Sequence, residues 1–464
     1  MRTRLAIAVG CLLVAAGCPP GGPGTDGGPG PDATVDAATD AGPGSEDAGL
    51  DATAPVPDAS ADAGPDAGPD AAGEEDGGLD VPPDCEPAAD LAVAADPAGQ
   101  VLGAAAAARS GGFAVAFSVA DGVGTFVRAR LLDECGLPAG DEIEVDESGL
   151  VVGVPVASAV GETGGFVIAW SRDGGPGDDE GAAVVFRRFD GDGTPAGALT
   201  LASEVTFDDQ LATAAAALST GFALAWEDNS GGALIRPDAV LCTFDEAGRP
   251  MSGEVSMSPL PDGAQNVPRM AVAADGSLLA AWVDEGVGRF RRRNDGGWLD
   301  AEAIALTDDG ALPSSAAGTE DGFGIALTSY SADLEGDVLL SVLPSGGGEA
   351  AEATIAERQG AERDAIVVST RAGFLIAWTD ETYRDDPQAV DSSGSTVGAV
   401  WTDAAGEVEG EPFVVPTTTD FDQELAAGAA GPGGVLVVWV DWSRADGEDD
   451  GGLRSRLITW GEGP

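Results

Sequence analysis

Residues 164–173 read GGFVIAWSRD. The apolar residues Phe166, Val167, Ile168, Ala169 and Trp170 follow one another without a polar break, then give way to Ser171, Arg172 and Asp173. An unbroken apolar run of this length, bounded by glycine and a polar turn, is the signature of a strand covered on both faces. The chain spells it six more times: GGFAVAFSVA (111–120), TGFALAWEDN (220–229), DGSLLAAWVDE (275–285), DGFGIALTSY (321–330), AGFLIAWTDE (372–381) and GGVLVVWVDW (433–442). The large residue ending each run falls at Phe117, Trp170, Trp226, Trp282, Leu327, Trp378 and Trp439, at spacings of 53, 56, 56, 45, 51 and 61 residues. Self-similarity at such a period marks a repeat array. Four strands per repeat with no helical period mark propeller blades.

Each copy parses alike. A small-residue strand such as LATAAAAL (211–218) leads through a glycine turn into the apolar strand. A polar loop and a third strand such as AVLCTFD (239–245) follow. A turn of the form D-x-x-G then leads to a short fourth strand such as GEVSMS (253–258). Alanine suits the axis, where sheets converge, and a tryptophan slot between blades is core packing worth a few kcal/mol. After Trp439 one strand remains, in GGLRSRLITWGEGP (451–464), so the seventh copy lacks its fourth. The segment ADLAVAAD (89–96) resembles the other fourth strands and is expected to complete blade seven, removing the open edge. The expected fold is all-β, a seven-bladed propeller over residues 85–464. These repeats resemble the wide class of bacterial seven-bladed propellers, related in shape to WD-repeat proteins. That resemblance specifies a fold and leaves function open.

The start of the chain is a different material. MRTRLAIAVGCLLVAAGC (1–18) has Arg2 and Arg4 before an apolar stretch and small residues before Cys18. It reads as a secretory signal. Its AAGC ending resembles the lipobox of bacterial lipoproteins, with Ala15 where leucine is commoner. The resemblance implies cleavage before Cys18 and a lipid on its thiol; the alternative is ordinary secretion with a free cysteine. Residues 19–84 hold 12 prolines and 16 acids, with no basic or aromatic residue. Such a segment cannot bury enough apolar surface to offset its ordering entropy, so a disordered tether is expected. Its reach as a flexible coil is roughly 45 Å. Asp/Ala/Pro/Gly tethers after a lipobox resemble those of myxobacterial surface lipoproteins. Pro19 is not the aspartate that retains many lipoproteins at the inner membrane, which favours the outer membrane of a bacterial envelope.

Residues 85–464 carry 64 acids against 20 arginines, and the whole chain has neither lysine nor histidine. A surface this negative repels nucleic acid and anionic lipid. Export implies an oxidising compartment. Cys85, Cys135 and Cys242 allow three pairings; Cys85 with Cys135 is expected, because one opens the ordered region and the other sits in a turn of the first repeat. Cys242 then remains as a small buried hydrophobe. The bridge would pin the closing strand to blade one.

Without histidine there is no Ser-His-Asp or Cys-His pair and no histidine-bearing metal site, and without lysine no Schiff base. No S-x-D-x-G-x-T-W box of the sialidase-like propellers is present. The DGDG of 190–193 aligns with DEAG and DECG in other repeats, so the turn reading is preferred over a calcium loop. Arg289, Arg291, Arg292 and Arg293 form one basic cluster; alternation is expected to expose at least two, paired with neighbouring acids.

In a propeller, loops joining strands two and three share a face with the loops between blades. Here those loops are long and acidic, most of all in blades two, six and seven. Asp380, Asp385, Asp386, Asp441, Asp446, Glu448, Asp449 and Asp450 could therefore converge between blades six and seven. Calcium takes six to eight such oxygens. A solvated, aggregation-resistant surface is the competing reading. The functional expectation is a lipid-anchored, monomeric, non-enzymatic binding or scaffold protein with a protein or glycan ligand. The alternative is a carboxylate-dependent glycan hydrolase or lyase.

Overall fold

The computed structural model describes Cys85 and residues 89–94, 99–161, 164–174, 181–230, 237–259, 263–294, 296–307, 311–330, 336–357, 361–381, 394–418, 422–442 and 452–460. Cys18 and the 19–84 segment lie outside them. The described residues form seven antiparallel sheets and no helix. Six sheets run in simple sequence order from residues 100, 151, 210, 265, 312 and 362. The seventh takes three strands from 423–459, and its fourth is Leu91–Ala92, paired with Ser455 and Arg454. The ring thus closes by pairing the first strand with the last. The molecule is a seven-bladed β-propeller.

The core is partitioned as the ring demands. Seven hydrophobic clusters form, one at each interface between neighbouring blades. Trp170, Trp226, Trp282, Trp378 and Trp439 are all fully buried in them. The residue just before each slot belongs to the next cluster along. Ala116 packs with Trp170. Ala169 packs with Trp226, and Ala225 with Trp282. On an extended strand successive side chains face opposite ways, so the Ala-Trp pair lends a small residue to one interface and a large one to the other. Where the slot holds the smaller Phe117, its partner from blade seven is the larger Val438. The Leu327 slot keeps an alanine partner, Ala281, so the exchange of volume is particular to the interface of blades seven and one.

The D-x-x-G turns share one backbone hydrogen bond, donated by the glycine N–H to the aspartate carbonyl. The Asp133 carboxylate accepts from the backbone N–H groups of Cys135 and Leu137, at 3.0 and 2.9 Å. Asp245 and Asp403 repeat this with Arg249 and Glu407. In DGDG, Gly193 takes a φ of 85° and donates to the Asp190 carbonyl, while Asp192 accepts from the Thr194 N–H. The second aspartate serves the turn. Cys85 and Cys135 are joined by a disulfide, which ties the chain just before the closing strand to a turn of blade one. Cys242 is free and buried, and burial pushes its thiol up to about 11.

The arginine cluster differs from the sequence expectation. None of the four is exposed, and Arg291 and Arg292 are buried. The outermost strand of blade four is broken into Gly297–Trp298 and Ile304–Ala305, both paired with Val287–Asn294. Asp300 fills the break. Its carboxylate accepts from Nε and Nη2 of Arg292 at 3.0 and 2.8 Å, and its carbonyl from Arg291. Arg291 also lies over the Trp298 ring, 4.2 Å from its centroid, and Arg289 pairs with Asp284. A gap in the sheet edge gave the guanidinium groups carbonyls, a carboxylate and a ring, so strict alternation no longer sent them to solvent.

Candidate functional site

One end of the propeller carries the tight turns and the other carries the interblade loops and the loops between second and third strands. Cross-links between neighbouring loops fix this second end, the loop face. Asp209 accepts from the Ala182 N–H at 2.9 Å and Asp422 from the Ser395 N–H at 3.0 Å, each joining an interblade loop to the preceding blade's hairpin.

On this side every first strand is bulged. The pairing register shifts between Val101 and Gly103, Val152 and Val156, Ala212 and Ala214, Asn266 and Arg269, Pro313 and Ser315, Arg363 and Ile366, and Leu425 and Ala427. A bulge bends the strand and removes backbone groups from the ladder. Polar residues placed just after the slot aromatics take up those groups in the next blade. Ser171 Oγ accepts from the Ala212 N–H at 2.7 Å, Glu227 Oε1 from Val267 at 2.7 Å and Thr379 Oγ1 from Leu425 at 3.0 Å. Burial raises the Glu227 carboxyl above the usual glutamate range, against the opposing pull of the Val267 N–H and Arg269.

A second recurring device begins each of four first strands. Gln210, Gln265, Glu362 and Gln423 are fully buried, opposite Asp228, Asp284, Asp380 and Asp441 at the ends of the second strands. The Gln210 amide donates to the carbonyls of Phe207 and Asp208, holding the interblade loop. Asp380 and Asp441, expected in loops, thus sit on strands, nearly buried and in equivalent places of adjacent blades. The strands run on because their partners do, with Asp380 opposite Thr396 and Asp441 opposite Gly452. Asp441 also pairs with Arg454 at 3.3 Å. Asp385, Asp386, Asp446, Glu448, Asp449 and Asp450 lie outside the described residues. Among the described residues no group of three or more His, Cys, Asp or Glu has the arrangement of a metal site.

The densest charge in the described part of this face is centred on Arg363, at the bulge of blade six. Its guanidinium pairs with Asp364, with Glu381 at 3.0 Å and with Glu424 of blade seven at 3.1 Å. Burial alone lowers the Arg363 pKa; the three carboxylates more than reverse it and keep the group charged. Three carboxylates around one arginine leave a net negative patch, suited to cationic groups and ill suited to anionic ones. Sequence reasoning missed this cluster. Its one trace was charge in AERDA (361–365) and DQELA (422–426), at first-strand starts where other repeats, such as GQVLG (99–103), DQLAT (209–213) and AQNVP (264–268), carry fewer charges.

No protein-family model matches the chain, and no curated protein matches it in sequence. Solved structures match in shape. An ulvan lyase from a new polysaccharide lyase family is similar at 12% identity and a TM-score of 0.50, over 80% of this chain and 96% of that one. The β-propeller domain of the trilobed protease from Pyrococcus furiosus is similar at 10% identity and a TM-score of 0.44, over 78% of this chain and 99% of that one. A protein of unknown function from Dyadobacter fermentans is similar at 11% identity and a TM-score of 0.45, over 64% of this chain and 95% of that one. At such identities the likeness is one of fold alone.

Proposed function

We propose that the chain is a lipid-anchored, extracytoplasmic propeller that binds a partner at its loop face and does no chemistry on it. The observation that supports this most is the difference between its two ends. The turn end is built from short, repeated turns, whereas the loop face carries the long acidic segments and the Arg363 cluster. Cys18 would hold the protein to a membrane, with outer-membrane placement, and residues 19–84 would lift the propeller clear of it. Two or three acyl chains are needed for firm anchoring, since one alone holds weakly. The acidic loops of blades six and seven would be stabilised by calcium, whose ligands would come from Asp385, Asp386, Asp446 and Asp449 beside Asp380 and Asp441.

Two experiments test this. A thermal melt of the protein with calcium and then with EDTA should show a saturable rise in melting temperature, because a ligand that binds only the native state stabilises it by mass action. No shift would remove calcium and leave the acids as solvent-facing charge. Incubation with a panel of anionic and neutral glycans should leave them intact. Cleavage of any would establish the lyase or hydrolase alternative and end the non-enzymatic reading.

A further inference from the structure

Above blades one and two the loop face exposes three apolar side chains among its acids. Val123 is 91% exposed, Leu150 43% and Val152 40%. One interblade loop further on, Phe207 is 51% exposed. Among the described residues Leu137, Met251, Leu299, Ile304 and Val408 are exposed elsewhere, but Val123, Leu150 and Val152 are neighbours, because Thr125 pairs with Leu150, and it is adjoining apolar side chains that mark a contact surface.

The ledge is rigid. The Asp121 carboxylate accepts from the backbone N–H groups of Val123 and Gly124, at 2.8 and 3.2 Å. The neighbouring loop is braced in the same way, with Asp146 accepting from the Ser148 N–H and Ser148 Oγ from the Leu150 N–H. Thr125 N–H donates to the Gly149 carbonyl and Asp173 N–H to the Leu150 carbonyl, joining the two loops to each other and to blade two. Gly149 takes a φ of 73°, a conformation that an L side chain rarely adopts. Three apolar side chains are thus presented on a preformed backbone, which lowers the entropy lost on binding.

The rim supplies charge. Glu144 and Glu147 are both exposed on the segment that leads into Leu150, and interaction with Glu144 raises the Glu147 pKa against the smaller opposing pull of Arg128. An incoming cation would relieve the repulsion between these two carboxylates. A second copy of the chain, at a net charge of −58, is repelled, and so is any phosphate-bearing partner.

We propose that the ledge of Val123, Leu150 and Val152, with Glu144 and Glu147 at its rim, docks a cationic polypeptide segment that carries apolar side chains beside its Arg or Lys. This rests on the reading of the chain as a binding protein and names the partner's chemistry.

The test uses full-length protein and three labelled synthetic eight-residue peptides: alternating Arg and Leu, alternating Arg and Gly, and alternating Glu and Leu. Fluorescence anisotropy is read at about 0.3 M salt, where exposed charges are largely screened. The Arg–Leu peptide should bind the native protein and weaken about tenfold with the V123S/L150S double variant, while the Arg–Gly peptide binds more weakly and equally to both. A photoreactive leucine in the Arg–Leu peptide should cross-link to residues 121–152, a readout that needs no variant to fold. The proposal fails if the native protein binds no Arg–Leu peptide, if the double variant binds it equally well, or if the Glu–Leu peptide binds as tightly. It fails also if sedimentation shows native self-association that the double variant abolishes, since a second copy would then cover the ledge. Glycan cleavage by the same preparation would overturn the binding reading by itself, whatever the peptides do.

Discussion

The two ends of this propeller are made of the same repeats and behave as opposites. At the turn end the chain reverses through short turns, and residues there that need left-handed backbone, such as Gly193 and Gly248, are glycines. Among the described residues, the four non-glycine residues with positive φ, Asp208, Val267, Glu285 and Asp364, all lie at the loop face. Glu285 sits in a hairpin turn, Asp208 in an interblade loop, and Val267 and Asp364 in the bulges of blades four and six. A β-branched residue in that region is a true outlier, and such strain persists only where the surroundings impose it. One end is relaxed and repetitive. The other holds the strained residues together with the Arg363 cluster and the adjoining exposed Val123, Leu150 and Val152.

The largest effect should come from what both ends share. Trp226→Ala empties a slot between blades two and three and should cost about 3–5 kcal/mol in urea unfolding. Hydrogen exchange should then rise at both ends of blades two and three. A rise confined to the loop face would show that the turn end is stabilised independently of the slot.

Next is the staple near the turn end. Cys85→Ser should lower stability by about 2–4 kcal/mol, the usual worth of a bridge closing a loop of this size. The separation it closes is 50 residues, and the strand it secures makes only two residue pairs with blade seven. Dithiothreitol should reproduce the loss in native protein and in Cys242→Ala, and add nothing to Cys85→Ser. If reduction leaves stability unchanged, the Leu91–Ala92 strand holds the ring closed without help.

A pair of opposite exchanges sharpens the contrast most directly. Val267→Gly removes strain of about 1–3 kcal/mol and incurs glycine's entropy loss of about 0.5–1 kcal/mol. A small gain in melting temperature is expected. Gly193→Ala at the turn end should instead lower it: the φ is 85°, and an added Cβ would lie 2.6 Å from the Ile143 side chain. Equal signs for the two would remove the distinction between a strained end and a relaxed one.

The ring was legible because its signal is local and repeated. Phe166–Trp170 can be read as a doubly covered strand with no knowledge of its neighbours, and the missing fourth strand after Trp439 points to 89–96 by subtraction. The Cys85–Cys135 pairing followed from position along the chain. The loop face was legible as charge and illegible as geometry. Nothing in QNVPRMAV (265–272) marks Val267 as left-handed, because a bulge follows from strand pairing and leaves no turn residue in the sequence. The Arg363 cluster joins Glu381 and Glu424 across two blades, a relation that only the closed ring creates. Arg291 and Arg292 were misjudged for a similar reason: the break that Asp300 fills interrupts a strand whose sequence gives no warning of it.

The smallest effect tests whether the interblade hydrogen bonds of the loop face carry a pH dependence that the turn end lacks. Glu227 accepts from the strained Val267 N–H while burial raises its pKa. A carboxyl whose folded pKa exceeds its unfolded one contributes stability in full below the unfolded value and loses it as pH rises through the folded value. Glu227→Gln keeps an oxygen acceptor for Val267 and removes the titration. Native protein should therefore lose stability relative to the variant between acid and neutral pH, starting near the ordinary glutamate value of 4.5. Asp238 and Glu254 are also raised by burial, but both are present in the two proteins and cancel in the difference. Chemical denaturation of both proteins across that range decides it. A difference that grows in the native protein's favour as pH rises would mean that the ionised carboxylate is the better acceptor, and that the Val267 N–H and Arg269 outweigh the desolvation of its charge.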